Sequence, residues 1–562
     1  MLAMAQVIVL EKGGFPPAAE LALTEQEGFS TMYETGGLLT TQDAADQINF
    51  EQLCAQGSPT DARDLHPDAP PRPYGRAEVL AAGMSILAGT TLGRGTRVNW
   101  QASFRTPDHV RREWAEQHGL GIQEHSKPNQ KVKAGLEKLG VHCGEIPRNC
   151  STAHACGHCC FGCPSGDKQD GTGTYLADAA GHGACIFTGV FADKILMEKC
   201  AGAGQRKRQA VGVSALTTAT SGGHRFKLII KAKYVISSAG ALHTPALLLR
   251  SKVTCRGNVG KNLRLHPATA VMGLFRKEVH GEKSGEPKVL RHMGLPPLPK
   301  CDEASQGQTG VPEEIRAWKG SIFSVFSNEV ANWESNGYGA LLQTPSAHLG
   351  LMAASMPWLG GRDFKRLCAW MPQAAPALVL ARDQGAGRVT IGRDGLPRLH
   401  YWPNKHDRES MVQGMELGLQ TLAAAGAVML VTLQGGKREA SRFQAERNKA
   451  GDMTNQHAFN SYLRGVRKTG IKKNSTTVFS AHQMGTARMG TDLKKSCVDP
   501  QGECWEVSNL YVADASLFPT STGVNPMVTV AAMSHLVAQG LAQKIRDRAV
   551  PHSQKSVCMS EE

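Results

Sequence analysis

The residues VIVLEKGG, at positions 7–14, constrain the fold of this chain more than any other stretch. Four apolar residues of strand type run into Glu11 and two glycines, which is how the second strand of a dinucleotide-binding βαβ unit usually ends. Such a unit takes roughly 30 residues and begins with a strand and a glycine-rich turn, but only six residues precede Val7. Either this interpretation of the pattern is wrong, or the chain lacks the first strand and the glycine-rich turn of the unit.

A second strand–glycine–helix pattern occurs at YVISSAGALHTPALLLRS, residues 234–251. A buried strand is predicted to end at Gly240. The helix is predicted to begin near Thr244 and Pro245, with the threonine as N-cap and the proline at the first helical position. Short apolar runs between residues 186 and 235 alternate with glycine and charge, which predicts an antiparallel meander leading into this element.

The length of 562 residues exceeds the roughly 250 to 300 at which a single core stops growing, so two domains are expected. Residues 265–478 differ in character, with a hairpin turning at Asp394-Gly395 and apolar stretches rich in Trp and Met that we interpret as core rather than a ligand tunnel. The chain is predicted to be α/β (α+β). A discontinuous Rossmann-like domain would comprise residues 1–264 and 479–545, a substrate-binding domain on an antiparallel sheet would comprise 265–478, and 546–562 would be a flexible tail.

The net charge of +14 does not indicate a nucleic-acid partner, because the 63 basic residues are scattered among 49 acidic ones. The tightest basic run, Arg206-Lys207-Arg208, is predicted to be a solvated hairpin tip, and no aromatic–basic pattern accompanies it. The start of the chain lacks the order of a signal peptide, so the 15 cysteines are expected to be thiols or ligands rather than disulfides. The uncharged run at 417–436 predicts a buried helix and strand rather than a membrane span.

Two late segments carry residues suited to alcohol oxidation. SAHQMGTARMG, residues 480–490, predicts a fixed loop around His482, and a strand reaching Asp514 is followed by a helix that opens at Asn525-Pro526. Taken singly, Asn525 could be an N-cap and His482 a core histidine. Together they could remove a hydroxyl proton and hold the oxygen as charge builds, while a helix start stabilises a reduced flavin.

These segments resemble the glucose-methanol-choline oxidoreductases, an FAD-dependent family. H-x-x-G-T-x-R-M-G occurs at 482–490 and D-A-S-x-x-P followed by N-P-x-x-T at 514–529, with further matches in LAGTTLGRGTRVNW (87–100), AGALHTPALLLRS (239–251) and NVGKNLRLHP (258–267). ASFRTPDHVRREWAEQHGL, CCFGCPSGDKQ, YGALLQTPS and GLPRLHYWPNKHD are similar to the long-chain fatty alcohol oxidases within that family. The resemblance implies FAD, oxidation of fatty alcohols to aldehydes, reduction of molecular oxygen to peroxide, and a membrane-associated, intracellular location.

The resemblance also implies roles for individual residues. His482 would be the catalytic base and Asn525 its hydrogen-bonding partner at the alcohol oxygen. Glu11 would bind the adenosine ribose, and the other cofactor-binding residues would be Gly93, Gly95, Thr96, Asn99, Gly240, Asp514, Ala515 and Pro526. Covalent members of the family have a histidine where this chain has Val98, so FAD is expected to be non-covalent. Without the glycine-rich turn, this chain by itself is expected to hold FAD poorly.

Other interpretations stay open from the sequence alone. The chain could be another alcohol dehydrogenase of this family that passes electrons to a quinone, or a fatty-acid photodecarboxylase. It could also be a truncated, non-catalytic isoform that retains only a binding surface.

Six cysteines fall between residues 143 and 163. The candidates for a zinc or iron–sulfur ligand set are Cys150, Cys156, Cys159 and Cys163. A c-type haem does not fit, because Cys160 stands where C-x-x-C-H requires histidine. A second widely separated C-x-x-C pair is lacking, so reduced thiols, or a structural role in a loop over the active site, are favoured over a bound metal.

Overall fold

The computed structural model describes residues 7–12, 39–40, 84–86, 125–151, 154, 157–163, 165–200, 206–217, 226–275, 315–345, 348–357, 360–435, 441–473 and 475–549. The predictions at Gly93, Gly95, Thr96, Val98, Asn99 and Cys156 lie outside them. In chain order the strands β1–β21 are Ile8–Leu10, Leu39–Thr40, Met84–Ile86, Gly144–Glu145, Cys185–Phe187, Val190–Lys199, Arg208–Thr217, Lys227–Lys231, Val235–Ser237, Lys261–Leu263, Ala268–Leu274, Val325–Ser327, Ala340–Gln343, Ala374–Ala381, Gly387–Ile391, Pro397–His400, Met429–Thr432, Arg442–Gln444, Val478–Ser480, Val507–Ser508 and Leu510–Val512. The helices α1–α8 are Lys127–Leu139, Tyr175–Gly181, Gly240–Arg250, Leu349–Ser355, Gly361–Trp370, Lys405–Ala424, Gln456–Thr469 and Met527–Ala549.

A large sheet, ten-stranded in the described part of the chain, forms the centre of the region between residues 265 and 478. Strand β11 lies antiparallel to β14 over seven residues, and β14 is in turn antiparallel to β13. Every residue of β14 is buried, so this strand is apolar throughout rather than alternating. The expected mixed fold with an antiparallel sheet is therefore confirmed.

Helix α6 covers one face of this sheet at close range. Its N-terminus has a capping box between Asn404 and Asp407. A Cβ on Gly414 would lie 2.4 Å from the Val379 Cγ1 of β14. On the other side, a Cβ on Gly135 of α1 would lie 2.1 Å from the Thr421 carbonyl oxygen of α6. Glycines at these contacts let helices and sheet approach closely enough to exclude water. The uncharged run contributes its described residues to the end of this packed helix and to β17, as predicted.

Late strands return to pair with early ones. Strand β21 lies parallel to β9, with Leu510 opposite Val235, and β20 lies parallel to β7. One apolar core contains Val235 and Leu248 from the early segment together with Val512 and Leu541 from the late one. A discontinuous domain requires such pairing between early and late strands. The boundaries given above for the two domains stay a prediction. Helix α8 continues to Ala549, past the predicted start of the tail at residue 546.

The predicted meander and hairpin are both present. Strands β6, β7 and β8 are antiparallel neighbours, and β15 and β16 form a hairpin whose turn contains Gly395 at φ +76°. The basic run, however, is not a solvated tip. Arg206 pairs with Asp499 at 2.7 Å and Arg208 pairs with Glu506, because the returning chain places acids beside them.

Among the described helices, none has the length and apolar character needed to cross a membrane.

Candidate active site

The loop of residues 480–490, which carries His482, is fixed along its length. The N–H groups of Gly485, Ala487 and Met489 donate to the carbonyls of the 515–517 turn at 2.9–3.0 Å. Gly485 has φ +86°, and a Cβ there would lie 2.5 Å from the Asn262 carbonyl oxygen, so this position requires glycine. The prediction of a fixed loop without regular structure is confirmed.

His482 faces a second histidine, His266. Their Nδ1 atoms are 3.2 Å apart, and the rings are nearly perpendicular, with centroids 5.3 Å apart. His266 is fully buried, and its Nε2 accepts the backbone N–H of Gly523 at 3.0 Å. Through His266, the His482 loop is therefore connected to the loop that ends in Asn525.

The Gly523 N–H sets the proton positions in this pair. Because it donates to His266 Nε2, neutral His266 must carry its own proton on Nδ1 and donate it to His482 Nδ1. His482 then carries its proton on Nε2 and offers a hydrogen-bond donor there. Accepting a proton at Nε2 requires the other tautomer, in which the Gly523 bond is lost at a cost of about 1–3 kcal/mol.

Both imidazoles are neutral in this environment. Burial lowers the pKa of His482 from 6.5 to about 4. Burial lowers the pKa of His266 well below its ordinary value, and the nearby His482 and Arg382 lower it further. A pair of neutral imidazoles, one of them fully buried and the other half-buried, can exchange protons with a substrate hydroxyl without a resident charge.

Asn525 is held by Gln343, the last residue of β13. Gln343 is fully buried, and its Nε2 donates to Asn525 Oδ1 at 2.8 Å. With its oxygen engaged there, the Asn525 amide has its Nδ2 hydrogens left to offer as donors. Asn525 therefore precedes helix α8 as a side chain that β13 positions through the bond from Gln343.

The loop between residues 519 and 526 is anchored from the end of β14. Arg382 Nε donates to the Ser521 carbonyl at 3.0 Å, and Ser521 Oγ donates to the Asp383 carbonyl at 2.8 Å. The Asp383 carboxylate accepts the Leu265 N–H at 2.9 Å, beside His266. One short segment thus fixes both His266 and the approach to Asn525.

Sequence reasoning assigned no role to His266 or Gln343. His266 lies in the motif NVGKNLRLHP, and Gln343 is the polar residue that ends the otherwise apolar strand ALLQ. A polar side chain in a fully buried strand needs a partner, which is the signal that could have singled out Gln343.

Two of the predicted cofactor-binding residues meet at the start of α3, and a third, Glu11, precedes a lysine that contacts the same helix. Glu11 is buried at the end of β1, and the neighbouring Lys12 Nζ lies 3.3 Å from His243 Nε2 in the first turn of α3. Gly240 begins α3 at φ +79°, and no described atom lies within 4 Å of where its Cβ would be. The Asp514 carboxylate accepts the Gly240 N–H at 2.9 Å. An acid at a strand end and an open glycine at a helix start fit the ribose and diphosphate of FAD.

The start of α3 differs from the prediction. The helix begins at Gly240, so Pro245 lies inside it, and Thr244 is not an N-cap but donates its hydroxyl to Asp514 at 2.5 Å. Pro245 cannot donate to the Ala241 carbonyl four residues earlier. The Thr486 hydroxyl of the His482 loop donates to that carbonyl at 2.7 Å instead. The carbonyl that Pro245 leaves open thereby links helix α3 to the loop of residues 480–490.

Ala515 and Pro526 are placed by the same loops. The Ala515 carbonyl accepts the Gly485 N–H at 3.0 Å, and the Pro526 carbonyl accepts the Val530 N–H at 2.8 Å in the first turn of α8. Their predicted contact with the cofactor remains a prediction.

In the cysteine-rich segment, the described thiols contact His154, Ser165 and Lys168. In the described part of the chain, no group of three His, Cys, Asp or Glu side chains is arranged to hold a metal ion. Cys159 Sγ lies 3.0 Å from His154 Nε2. Cys163 Sγ lies 3.3 Å from both Ser165 Oγ and the Lys168 amide nitrogen. Burial raises the pKa of Cys150 to about 11.

Some known proteins are similar to this chain in sequence, and others in fold. The long-chain-alcohol oxidase FAO4A of Arabidopsis thaliana is 30% identical over 97% of this chain. The chain spans about two thirds, 64–66%, of the length of the Arabidopsis long-chain-alcohol oxidases that it matches.

Among solved structures, a pyridoxine 4-oxidase from Mesorbium loti is similar with a TM-score of 0.52 at 14% identity, covering 96% of this chain and 95% of that one. An FAD-dependent oxidoreductase from Chaetomium thermophilum is similar with a TM-score of 0.50 at 14% identity, covering 96% and 95%. At this level of identity these two structures show a shared fold.

The family described as GMC oxidoreductase matches residues 29–127, 121–268 and 383–534, which is most of the chain. The chain therefore belongs to the GMC oxidoreductase family.

Proposed function

We propose that this protein oxidises long-chain fatty alcohols to aldehydes and reduces molecular oxygen to hydrogen peroxide. The observation that carries the proposal is that His482 contacts His266, which accepts the Gly523 N–H of the loop that leads to Asn525. An imidazole and a carboxamide linked in this way suit removal of a hydroxyl proton and stabilisation of the oxygen left behind. The similarity to long-chain-alcohol oxidases supports the choice of substrate.

The cofactor would be FAD held without a covalent bond. Glu11, Gly240, Asp514, Ala515 and Pro526 would lie against it, together with Gly93, Gly95, Thr96 and Asn99 from outside the described residues. When bound, FAD supplies the acceptor for the carbinol hydride and passes the electrons to oxygen. The protein contributes binding, orientation and proton transfer.

His482 would take the hydroxyl proton at Nε2 after the His266–His482 pair changes tautomer. Asn525 would donate an Nδ2 hydrogen to the same oxygen, in the orientation that Gln343 fixes. A charged imidazole could not accept this proton, so the burial that lowers the pKa of His482 keeps the base in its active form. The proposed partners are a fatty alcohol and molecular oxygen. The proposed location of the enzyme is membrane-associated and intracellular.

The test is reaction of the purified, FAD-supplied protein with dodecanol. We expect anaerobic dodecanol to bleach the flavin absorbance, and air to restore it with one peroxide formed per aldehyde. Flavin reduction by dodecanol without peroxide formation under air would show that the activity is that of a dehydrogenase and not of an oxidase. An unchanged flavin spectrum with octanol, dodecanol and hexadecanol would contradict the proposal altogether.

A further inference from the structure

A thiol, an imidazole and a carboxylate are aligned in the cysteine-rich segment, apart from the site described above. His154 Nε2 lies 3.0 Å from Cys159 Sγ, and His154 Nδ1 lies 3.1 Å from Asp167 Oδ2. Asp167 is held by the Ser151 hydroxyl at 3.0 Å. Cys159 is fully buried and His154 nearly so, whereas the Asp167 side chain is 31% exposed. An imidazole between a thiol and a carboxylate can take the thiol proton and be stabilised as an imidazolium.

Two basic side chains bind the backbone on either side of this thiol–imidazole pair. Lys168 is 3% exposed, and its Nζ donates to the Cys159 carbonyl at 2.8 Å. Burial lowers the pKa of Lys168, while Cys159 and Asp170, and then Cys160 and Cys163, raise it, so its ammonium lies near three sulfurs. The Arg148 guanidinium donates to the His154 carbonyl at 2.9 Å. Cations beside a thiol favour the thiolate form.

The thiol also lies close to the elements that build the alcohol site. Cys159 belongs to a small apolar cluster with Ala268, Leu378 and the partly buried Phe479. Ala268 is two residues from His266, and Phe479 is three residues from His482. Leu378 is the register partner of Gln343. The cluster that contains Cys159 thus shares its strands with His482, His266 and Gln343.

We propose that Cys159 is a peroxide-reactive thiol, activated by His154 and Asp167. The thiol proton moves to His154 Nε2, and the thiolate sulfur attacks one oxygen of hydrogen peroxide. An S–O bond forms as the O–O bond breaks, and the departing hydroxide takes the proton from His154 as water. Sulfur is oxidised by two electrons to sulfenic acid and peroxide is reduced. The source of peroxide rests on the proposed oxidase function, whereas the reactivity of the thiol does not.

The test adds hydrogen peroxide to the full chain without alcohol, traps sulfenic acid with dimedone, and follows each cysteine by mass spectrometry. Cys150 is the internal control, because it lies in the same segment and its pKa is raised to about 11. We expect Cys159 to react at least about tenfold faster than Cys150, since an unperturbed thiol is only about 3% thiolate at pH 7. A bulky maleimide, which cannot enter the packed cluster, should leave Cys159 unmodified in the folded protein.

His154→Gln should slow Cys159 oxidation by about tenfold, because glutamine keeps a donor to sulfur but cannot take the proton. Cys163→Ser is the matched control, because Cys163 contacts Ser165 and Lys168 rather than His154, and should leave the Cys159 rate within about twofold. Circular dichroism checks that both variants fold. If wild-type Cys159 reacts no faster than Cys150, or if purified protein holds one zinc that Cys159→Ser removes, the proposal is overturned. Because peroxide is supplied directly, failure of alcohol oxidation would not change this result.

Discussion

Two histidines of this protein, His482 and His154, have opposite surroundings. His482 faces another imidazole, His266, whose far nitrogen is bound by a backbone N–H. His154 lies between a thiol and a carboxylate, with Asp167 at 3.1 Å. The first arrangement has no built-in counter-charge for an imidazolium, and burial lowers the pKa of His482 to about 4. The second supplies that counter-charge.

The difference teaches how one side chain serves two chemistries. A base that must accept a proton from an alcohol has to be neutral at rest, which desolvation of the His482 imidazole favours. An imidazole that must keep a thiol ionised has to be stabilised in its charged form, which a carboxylate partner provides. The two histidines thus differ in the groups that face them: an imidazole for His482, and a thiol and a carboxylate for His154.

The largest expected effect separates the two histidines by turnover. His482→Ala should lower kcat for dodecanol by about 100-fold or more, because a general base contributes at least that much. His154→Gln should change kcat by less than about threefold, since it takes no part in alcohol oxidation. Steady-state peroxide production, with flavin absorbance as the check on folding, measures both. A similar loss of kcat in the two variants would show that His154 and His482 do not belong to separate sites.

The second prediction concerns stability. The pKa of His482 is 6.5 before burial and about 4 in the folded protein. Between these values the unfolded state binds more protons, so the free energy of unfolding rises with pH; this stabilisation is present above pH 6.5 and is lost as the pH falls toward 4. From pH 5 to 7, wild-type protein should gain about 2 kcal/mol relative to His482→Gln.

Urea unfolding of both proteins at pH 5 and pH 7 measures that gain. Taking the difference between them matters, because burial raises the pKa of Asp383 to about 6 and shifts stability in the opposite direction in both proteins. An equal pH dependence in the two would mean that His482 is not desolvated in the folded state.

The third prediction tests the positioning of Asn525. Gln343→Leu should lower kcat by about tenfold with a smaller change in KM, because it removes the bond that orients the Asn525 amide. Gln343→Glu should be at least as damaging, since a carboxylate would accept from Nδ2 and turn Oδ1 toward the substrate. Gln373→Leu, at another buried glutamine, is the matched control. If Gln343→Leu and Gln373→Leu have equal effects, Gln343 has no special role.

The smallest expected effect is in the pH profile. With a pKa of about 4, His482 is almost entirely neutral from pH 5.5 to 7.5, so kcat/KM should change by less than about twofold over that range. A catalytic histidine with a pKa of 6.5 would change kcat/KM by about tenfold over the same range. An inflection near pH 6.5 would show that His482 lacks the neutral surroundings that distinguish it from His154.

The sequence motifs were enough to single out His482, Asn525 and Asp514, because each follows a loop or strand end with a distinctive local pattern. They could not reveal Gln343, which is 182 residues from Asn525, or the contact between His266 and His482 across 216 residues. The start of α3 was predicted wrongly for the same reason. Pro245 is tolerated inside the helix because Thr486, 245 residues from Ala241, satisfies the carbonyl that the proline leaves open.

By itself, the amino-acid sequence determined the kind of chemistry available: a strand that ends in Glu11, a glycine that opens a helix, and a histidine and an asparagine in late loops. Only the tertiary structure decided which of these groups are neutral, which way the Asn525 amide points, and which cysteine has a histidine beside it. Local pattern sets residue type and backbone conformation, whereas protonation and hydrogen-bond direction depend on desolvation and on neighbours brought in from distant parts of the chain.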